Sequence, residues 1–276
     1  MKLKLGISSC PNDTFMFEAL INKKIDTKNI DFELIIADIE KLNSYTEKQE
    51  LEISKISFHN FLKHTENYQL LNSGSAMGKN CGPLIISKRK IYLDELQDCK
   101  IAIPGVLTTA NLLMQIFFPE AINKTTYLFS DIEDLVLSEE CDIGLVIHET
   151  RFTYQKRGLK LLADLGNLWE EKFALPIPLG GIVIKRDLPE KIKQELNKML
   201  YESINFAFQN PEESLDFMKK HAVEMEEKIM MQHVNLYVNE YSKDIGNLGK
   251  KSIYKLQEEF LRINNFKANN LDLFLK

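Results

Sequence analysis

The chain has 276 residues, 44% of them hydrophobic and 27% charged, with 12 glycines and 8 prolines; it has the apolar content for a substantial core and none of the bias of fibrous or disordered chains. By the soft prior of about 150 residues per domain it is one large domain or two lobes. Thirty-five basic residues against 40 acidic ones give a net charge of -5 with the signs mixed along the chain, which argues against a nucleic-acid partner.

Strand-length apolar patches alternate with stretches of helical period, the grammar of an α/β protein with a largely parallel sheet. Leu3 to Ser8 predicts a first strand, Ser9 to Asp13 a turn, and Thr14 to Asn22 a helix that Asn12, Asp13 or Thr14 would cap. Phe32 to Asp38 predicts a strand, residues 39 to 49 a helix, Leu51 to Ser57 a strand, Phe58 to His64 a helix, and Tyr68 to Leu71 a further apolar patch. The glycine-rich stretch Ser73 to Pro83 then reads as a flexible crossing or a ligand-facing turn before the strand Leu84 to Ser87.

Residues 89 to 180 repeat this grammar. Strands are expected at Lys100 to Ile103, Tyr127 to Phe129, Asp142 to Ile147 and Leu161 to Leu165, with helices at Thr108 to Phe118 and Ile132 to Glu139. Leu175 to Gly181 reads as a turn and Ile182 to Lys185 as a strand leading back into the first unit. From Pro189 the chain is helical, with Pro211 opening one helix and Gly246 and Gly249 breaking the chain before the last. The expected division is a first lobe of residues 1 to 88 and 182 to 276, a second of residues 89 to 181, and a cleft between them where a small molecule binds.

In open α/β sheets ligands lie beyond the carboxyl ends of the strands, so the loops at that edge are the ones to screen for polar groups. Ser8 to Asp13, Lys55 to Ser57, Gly105 to Thr109 and His148 to Arg151 pass. His148 directly follows the apolar run Ile143 to Ile147, which would hold a neutral imidazole at the sheet edge as a general base; its plain alternative is a tie from strand end to carbonyl. Glu149 and Arg151 would orient that ring or a substrate carboxylate, or be solvated loop residues. Thr108, Thr109 and Ala110 open a helix whose first amides lack intrahelical partners, a place for a carboxylate or hydroxyl unless a threonine merely caps it. Lys55 and Ser57 would face one side of their strand and Ile56 the other. His59, His64, His221 and His233 lack the spacing of paired ligands and read as structural.

No Walker A loop, dinucleotide fingerprint or nucleophile elbow is present, so no nucleotide cofactor is expected. Cys10, Cys81, Cys99 and Cys141 are scattered, as befits reduced thiols and no metal site. Ile7 to Cys10 superficially matches a lipoprotein box but lacks the apolar run of about 7 to 15 residues that a signal needs, and no run reaches the roughly 18 of a membrane span. A cytoplasmic location with no membrane partner is therefore expected.

Taken together, Ser9-Cys-Pro-Asn-Asp-Thr-Phe15, Lys55-Ile-Ser57, Gly78-Lys-Asn-Cys-Gly-Pro83, Ile103-Pro-Gly105 with Thr108-Thr-Ala110, and Ile147-His-Glu-Thr-Arg-Phe-Thr-Tyr154 resemble the 1,4-dihydroxy-6-naphthoate synthase family of the futalosine route to menaquinone. Leu175 to Gly181 and His233 to Tyr241 extend the resemblance over nearly the whole chain, with Asn80 and Cys81 departing from the small residues more usual there. The resemblance implies a two-lobed fold of the type II periplasmic-binding-protein kind, used as a lyase that converts cyclic dehypoxanthine futalosine into 1,4-dihydroxy-6-naphthoate without cofactors. It implies His148 as the base, with Lys55, Ile56, Ser57, Thr109 and Ala110 contacting substrate; Thr108 joins these candidates from its place at the helix start, and a homodimer stays open as the assembly. Two other readings stand beside it: an intracellular solute-binding protein, and the related chorismate dehydratase of the same pathway.

Overall fold

The computed structural model describes residues 1–147, 150–222, 226–266 and 271–276. The first half runs β1 (Lys2–Ile7), α1 (Pro11–Ile21), β2 (Asp31–Ile36), α2 (Ile39–Glu47), β3 (Ile53–Ser57), α3 (Phe58–Lys63), β4 (Tyr68–Leu70), β5 (Ala76–Gly78), β6 (Leu84–Ser87), β7 (Ile101–Ile103), α4 (Thr109–Phe117), β8 (Lys124–Thr126), α5 (Ile132–Leu137) and β9 (Ile143–Val146). There follow α6 (Thr150–Thr153), β10 (Lys160–Asp164), α7 (Leu165–Phe173), β11 (Ile177–Lys185), α8 (Glu190–Gln209), α9 (Leu215–His221), α10 (Glu227–Tyr237), α11 (Glu240–Lys243) and α12 (Gly246–Asn264).

These strands build two sheets, both mixed rather than largely parallel. In the first the order is β2-β1-β3-β11-β4, with β5 also on β11; β2, β1 and β3 run parallel, and β11 runs antiparallel to its neighbours. In the second the order is β10-β6-β9-β7-β8, parallel only among β9, β7 and β8. Leu84–Ser87 pairs in the second sheet and all of Ile177–Lys185 in the first, so the chain changes sheet before β6 and again before β11, earlier than the boundaries at 88 and 181.

Helix α1 begins at Pro11, three residues before the expected start. Proline is favoured at the first helical position, where its missing N–H costs nothing, so Asn12, Asp13 and Thr14 lie inside the first turn and Cys10 takes the capping position without a side-chain bond. The turn expected at Leu175 to Gly181 is instead the front of the long central strand β11. There Gly180 passes so close to β3 that a Cβ would lie 2.6 Å from the Ile56 carbonyl oxygen, and Pro178 is tolerated at a register shift. The strand expected at Tyr127 to Phe129 is displaced to β8. Its pairing ends with Thr126 opposite Ile103, because Pro104 and Gly105 end the partner strand, and Phe129–Asp131 form a 3₁₀ turn. Neither β5 within the glycine-rich stretch nor α7 was expected, and Gly249 lies within α12 rather than in a break before it.

Among the described residues apolar burial follows three clusters. One lies under the first sheet against α1, α8 and α10, and a small one flanks the second sheet around Ile132 and Val136. The largest includes Phe58, Phe61, Leu112, Leu113, Trp169 and Phe260, and so joins α3, α4, α7 and α12 across both sheets. Burying such side chains at roughly 25 cal/mol per Å² of apolar surface is the main force holding the two sheets in fixed register.

Candidate active site

A cavity of about 760 Å³ opens between the sheets. Every parallel strand delivers its carboxyl end to it: Ser8 to Cys10 follow β1, Asp38 follows β2, Ser57 ends β3, Pro104 follows β7, Thr126 ends β8 and Ile147 follows β9. Such strand ends leave main-chain groups and loop side chains free for a ligand, the general rule of open α/β sheets. The volume is in the range of small-molecule sites.

On the first-sheet side the key group is a buried carboxylate. Asp13 is fully buried in the first turn of α1 and receives four hydrogen bonds from the described residues: at Oδ2 from the Ser8 amide (3.1 Å) and hydroxyl (2.7 Å), at Oδ1 from Asn12 Nδ2 (2.8 Å) and Lys55 Nζ (2.9 Å). The last is an ion pair with both side chains almost wholly removed from water. Such a pair stands because the carboxylate has hydrogen bonds beyond the single lysine. Lys55 lines the cavity with an ammonium that still has donors to offer.

Ser57, two residues on, is fixed by fully buried Asn43 of α2. The Asn43 oxygen accepts from the Ser57 amide (3.0 Å), and its Nδ2 donates to the Ser57 hydroxyl oxygen (3.1 Å), which leaves the hydroxyl proton to point at a ligand. Ile56 also lines the cavity while belonging to the large apolar cluster.

On the second-sheet side α4 starts with Thr108, whose hydroxyl accepts from the Asn111 amide (3.3 Å) and donates to the Gly105 carbonyl (2.8 Å). The Thr109 hydroxyl donates to the Leu179 carbonyl (2.5 Å) and accepts from the His59 amide (3.3 Å). With both hydroxyls and the Asn111 amide committed to the protein, this segment can offer a ligand the Thr109 and Ala110 amides and the positive end of the helix, and no acidic residue stands in that turn. His59 steadies it: Nδ1 lies 3.2 Å from the Thr108 carbonyl, which can only accept, so the ring carries its proton there. Burial lowers the His59 pKa to about 4, so the ring is neutral near pH 7.

Glu40, in the first turn of α2, reaches across the cavity mouth. Burial raises its pKa, and this outweighs hydrogen bonds from Asn43 and from the Leu107 and Val106 amides of the opposite wall. Gly105 makes room: a Cβ there would lie 2.2 Å from Glu40 Oε2. Thr126 to Ser130 form a lip beside it, with Leu128 exposed.

Lys55, Ile56, Ser57, Thr108, Thr109 and Ala110 thus all line one cavity, as do Ser9 and Asn12. His148 and Glu149 lie outside the described residues; their neighbour Ile147 lines the cavity. Arg151 is not at the cavity: it pairs with Asp164 (2.6 Å) and donates to the Gly82 carbonyl (2.7 Å), tying α6 to the end of β10. Sequence reasoning missed Asn43, Glu40 and Tyr237, which sit on helices with no marker at a strand end. Among the described residues no cluster of His, Cys, Asp and Glu is assembled to hold a metal, and no helix is long and apolar enough to cross a membrane.

Known proteins bear on this geometry. Residues 3–260 match the family model described as menaquinone biosynthesis. The chain is 36% identical over 257 residues to a 1,4-dihydroxy-6-naphthoate synthase of Thermus thermophilus, covering 93% of each chain. It is also similar to the crystal structure of protein AF1704 from Archaeoglobus fulgidus, with a TM-score of 0.89 at 33% identity over 96% of this chain and 98% of that one. A Candida albicans protein described as having the generic periplasmic binding protein fold superposes with a TM-score of 0.67 at 9% identity, over 100% of this chain and 98% of its own, a likeness of fold alone. With a family model matched over most of its length and a relative above one-third identity, this periplasmic-binding-protein-like chain belongs to the menaquinone biosynthesis family.

Proposed function

We propose that the protein is a lyase that converts cyclic dehypoxanthine futalosine into 1,4-dihydroxy-6-naphthoate, with His148 as general base. The observation that supports it is a single cavity lined by Lys55 to Ser57 from one sheet and Thr108 to Ala110 from the other, with Ile147, the residue before His148, at its wall. The reaction needs a proton removed from carbon while the ribose-derived fragment leaves and the ring becomes aromatic. A neutral imidazole in a water-poor cleft retains the basicity for that step, and positioned bases contribute about 10²- to 10⁴-fold. The α4 amides hold the substrate carboxylate, where helix polarity favours a negative group. The Ser57 hydroxyl and the Lys55 ammonium supply donors on the facing wall.

The fold likeness to binding proteins sustains a second reading, in which the ligand is held unchanged. One experiment separates them: incubate the protein with the cyclic compound, detect the naphthoate by mass, and run His148→Asn beside it. Wild-type turnover with the variant reduced at least about 100-fold is the expected result. Binding of the intact compound by both proteins, with no naphthoate formed, would replace the enzyme by a binding protein.

A further inference from the structure

Tyr127, Leu128 and Phe129 make the lip of the cavity apolar, and all three line it. The main chain there is held without help from the Leu128 side chain. The Tyr127 amide bonds the Ile103 carbonyl (3.0 Å), continuing the pairing of β8 with β7, and the Asp131 amide closes the turn on the Leu128 carbonyl (3.0 Å). Tyr127 packs against the small apolar cluster that flanks the second sheet, whereas Leu128 is 63% exposed and belongs to none of the three clusters among the described residues. Its apolar surface therefore does little for the fold.

A single exposed leucine is ordinary on a protein surface, but this one stands at a cavity rim, where exposed apolar surface marks a binding edge. Val106, 56% exposed, adds a second such residue just past the end of the neighbouring strand β7. The cavity itself is apolar between its hydrogen-bonding groups, with Ile56, Pro104, Ile147 and Leu179 on its walls. Such walls favour a ligand with a broad apolar body, which is drawn out of water on each side that the protein covers.

We infer that Leu128 is a specificity-determining residue whose side chain covers the fused-ring body of the substrate at the cavity mouth; this rests on the function proposed above. The contact needs no hydrogen bond. It removes apolar area from water on the leucine and on the ring together, so its strength grows with the ring surface presented to it. A free sugar can meet the polar groups of the cavity but has little apolar surface to set against the lip. Because Leu128 is exposed and outside the clusters, its replacement tests this contact with little disturbance of the core.

The test is binding of 1,4-dihydroxy-6-naphthoate, kept reduced under nitrogen, to wild type, Leu128→Ser and Leu128→Met by titration calorimetry. Leu128→Gln serves in place of the serine variant should that one fail to melt cooperatively. The serine variant is expected to bind about 5- to 20-fold more weakly, and the methionine variant, apolar and of similar volume, within about twofold of wild type. Melting temperatures close to that of wild type would assign the loss to the contact. A loss below twofold in the serine variant, or an equal loss in both variants, overturns the inference while leaving the proposed reaction standing. If wild type binds neither the naphthoate nor the cyclic compound, the proposed function fails, and 8-anilinonaphthalene-1-sulfonate becomes the deciding probe. Fluorescence of that fused-ring dye on wild type that Leu128→Ser weakens and Leu128→Met keeps then supports the lip contact. Fluorescence absent from wild type, or equal in all three proteins, overturns it.

Discussion

At the start of α1 the first turn carries its own carboxylate, Asp13, matched by a buried lysine from β3; at the start of α4 the first turn has no acidic residue, and neutral groups hold it in place. The first arrangement cancels its charge internally and leaves hydrogen-bonding edges at the cavity. The second keeps the Thr109 and Ala110 amides of its helix end for a ligand, with the Asn111 amide capped by Thr108 and Glu40 bonded just upstream. Two helices that begin at the same cavity thus present different chemistry, and the difference gives an asymmetric ligand only one way round.

The sharpest way to break this contrast is at the ion pair. Asp13→Ala leaves the Lys55 ammonium buried without a counter-charge and is expected to cost about 3–5 kcal/mol of stability in urea unfolding. Lys55→Met leaves Asp13 with its three other donors, from Ser8 and Asn12, and should cost less, about 1–3 kcal/mol. The reverse ranking would show that the carboxylate is not the hub.

The α4 end should be distinguished by its response to acid. His59 has a pKa of about 4 in the folded protein against 6.5 for an unperturbed ring. Between those values the unfolded chain binds a proton that the folded one refuses, so stability falls as pH drops from 6.5 towards 4 and is unaffected by this group above that range. The loss is expected to be about 2–3 kcal/mol across the window, and unfolding at pH 4.5 and pH 7 should show it reduced in His59→Gln. An unchanged pH slope in that variant would place the acid sensitivity elsewhere.

The smallest effect is expected at the mouth. Gly105→Ala pushes against the end of a flexible side chain, so the melting temperature should hardly move, but Glu40 must swing away from the opposite wall. Ligand affinity should fall about three- to tenfold, or roughly 1 kcal/mol. Adding Glu40→Ala to Gly105→Ala removes the collision, so the double variant should bind no worse than Glu40→Ala alone. A further loss would mean that Gly105 matters for another reason.

Much of this was legible from local rules. Lys55 and Ser57 fall at the end of an apolar strand, and Thr108 to Ala110 follow one after a proline and a glycine, so their place at the cavity could be read from pattern alone. Asp13 could not be assigned in the same way. Its sequence context is that of a capping residue, and only the fold brings Lys55 of β3 to it. Nor could β11 be read correctly, because two prolines and two glycines signal a turn until the Ile56 main chain is known to press against Gly180. Arg151 shows the opposite failure: a charged residue close to a site in sequence, committed in space to Asp164. Glu40 lay hidden because its partners belong to the other sheet.

The apolar cluster through Phe58, Leu112, Trp169 and Phe260 draws on residues from Ile56 to Phe274, and Leu70 is bridged by Phe274. A ribosome must therefore have released the chain through α12 before that centre can shut. Until α12 emerges, the nascent protein carries a greasy, half-made seam, so its exposure to chaperones and proteases is set by the arrival of that helix rather than by the completion of either sheet.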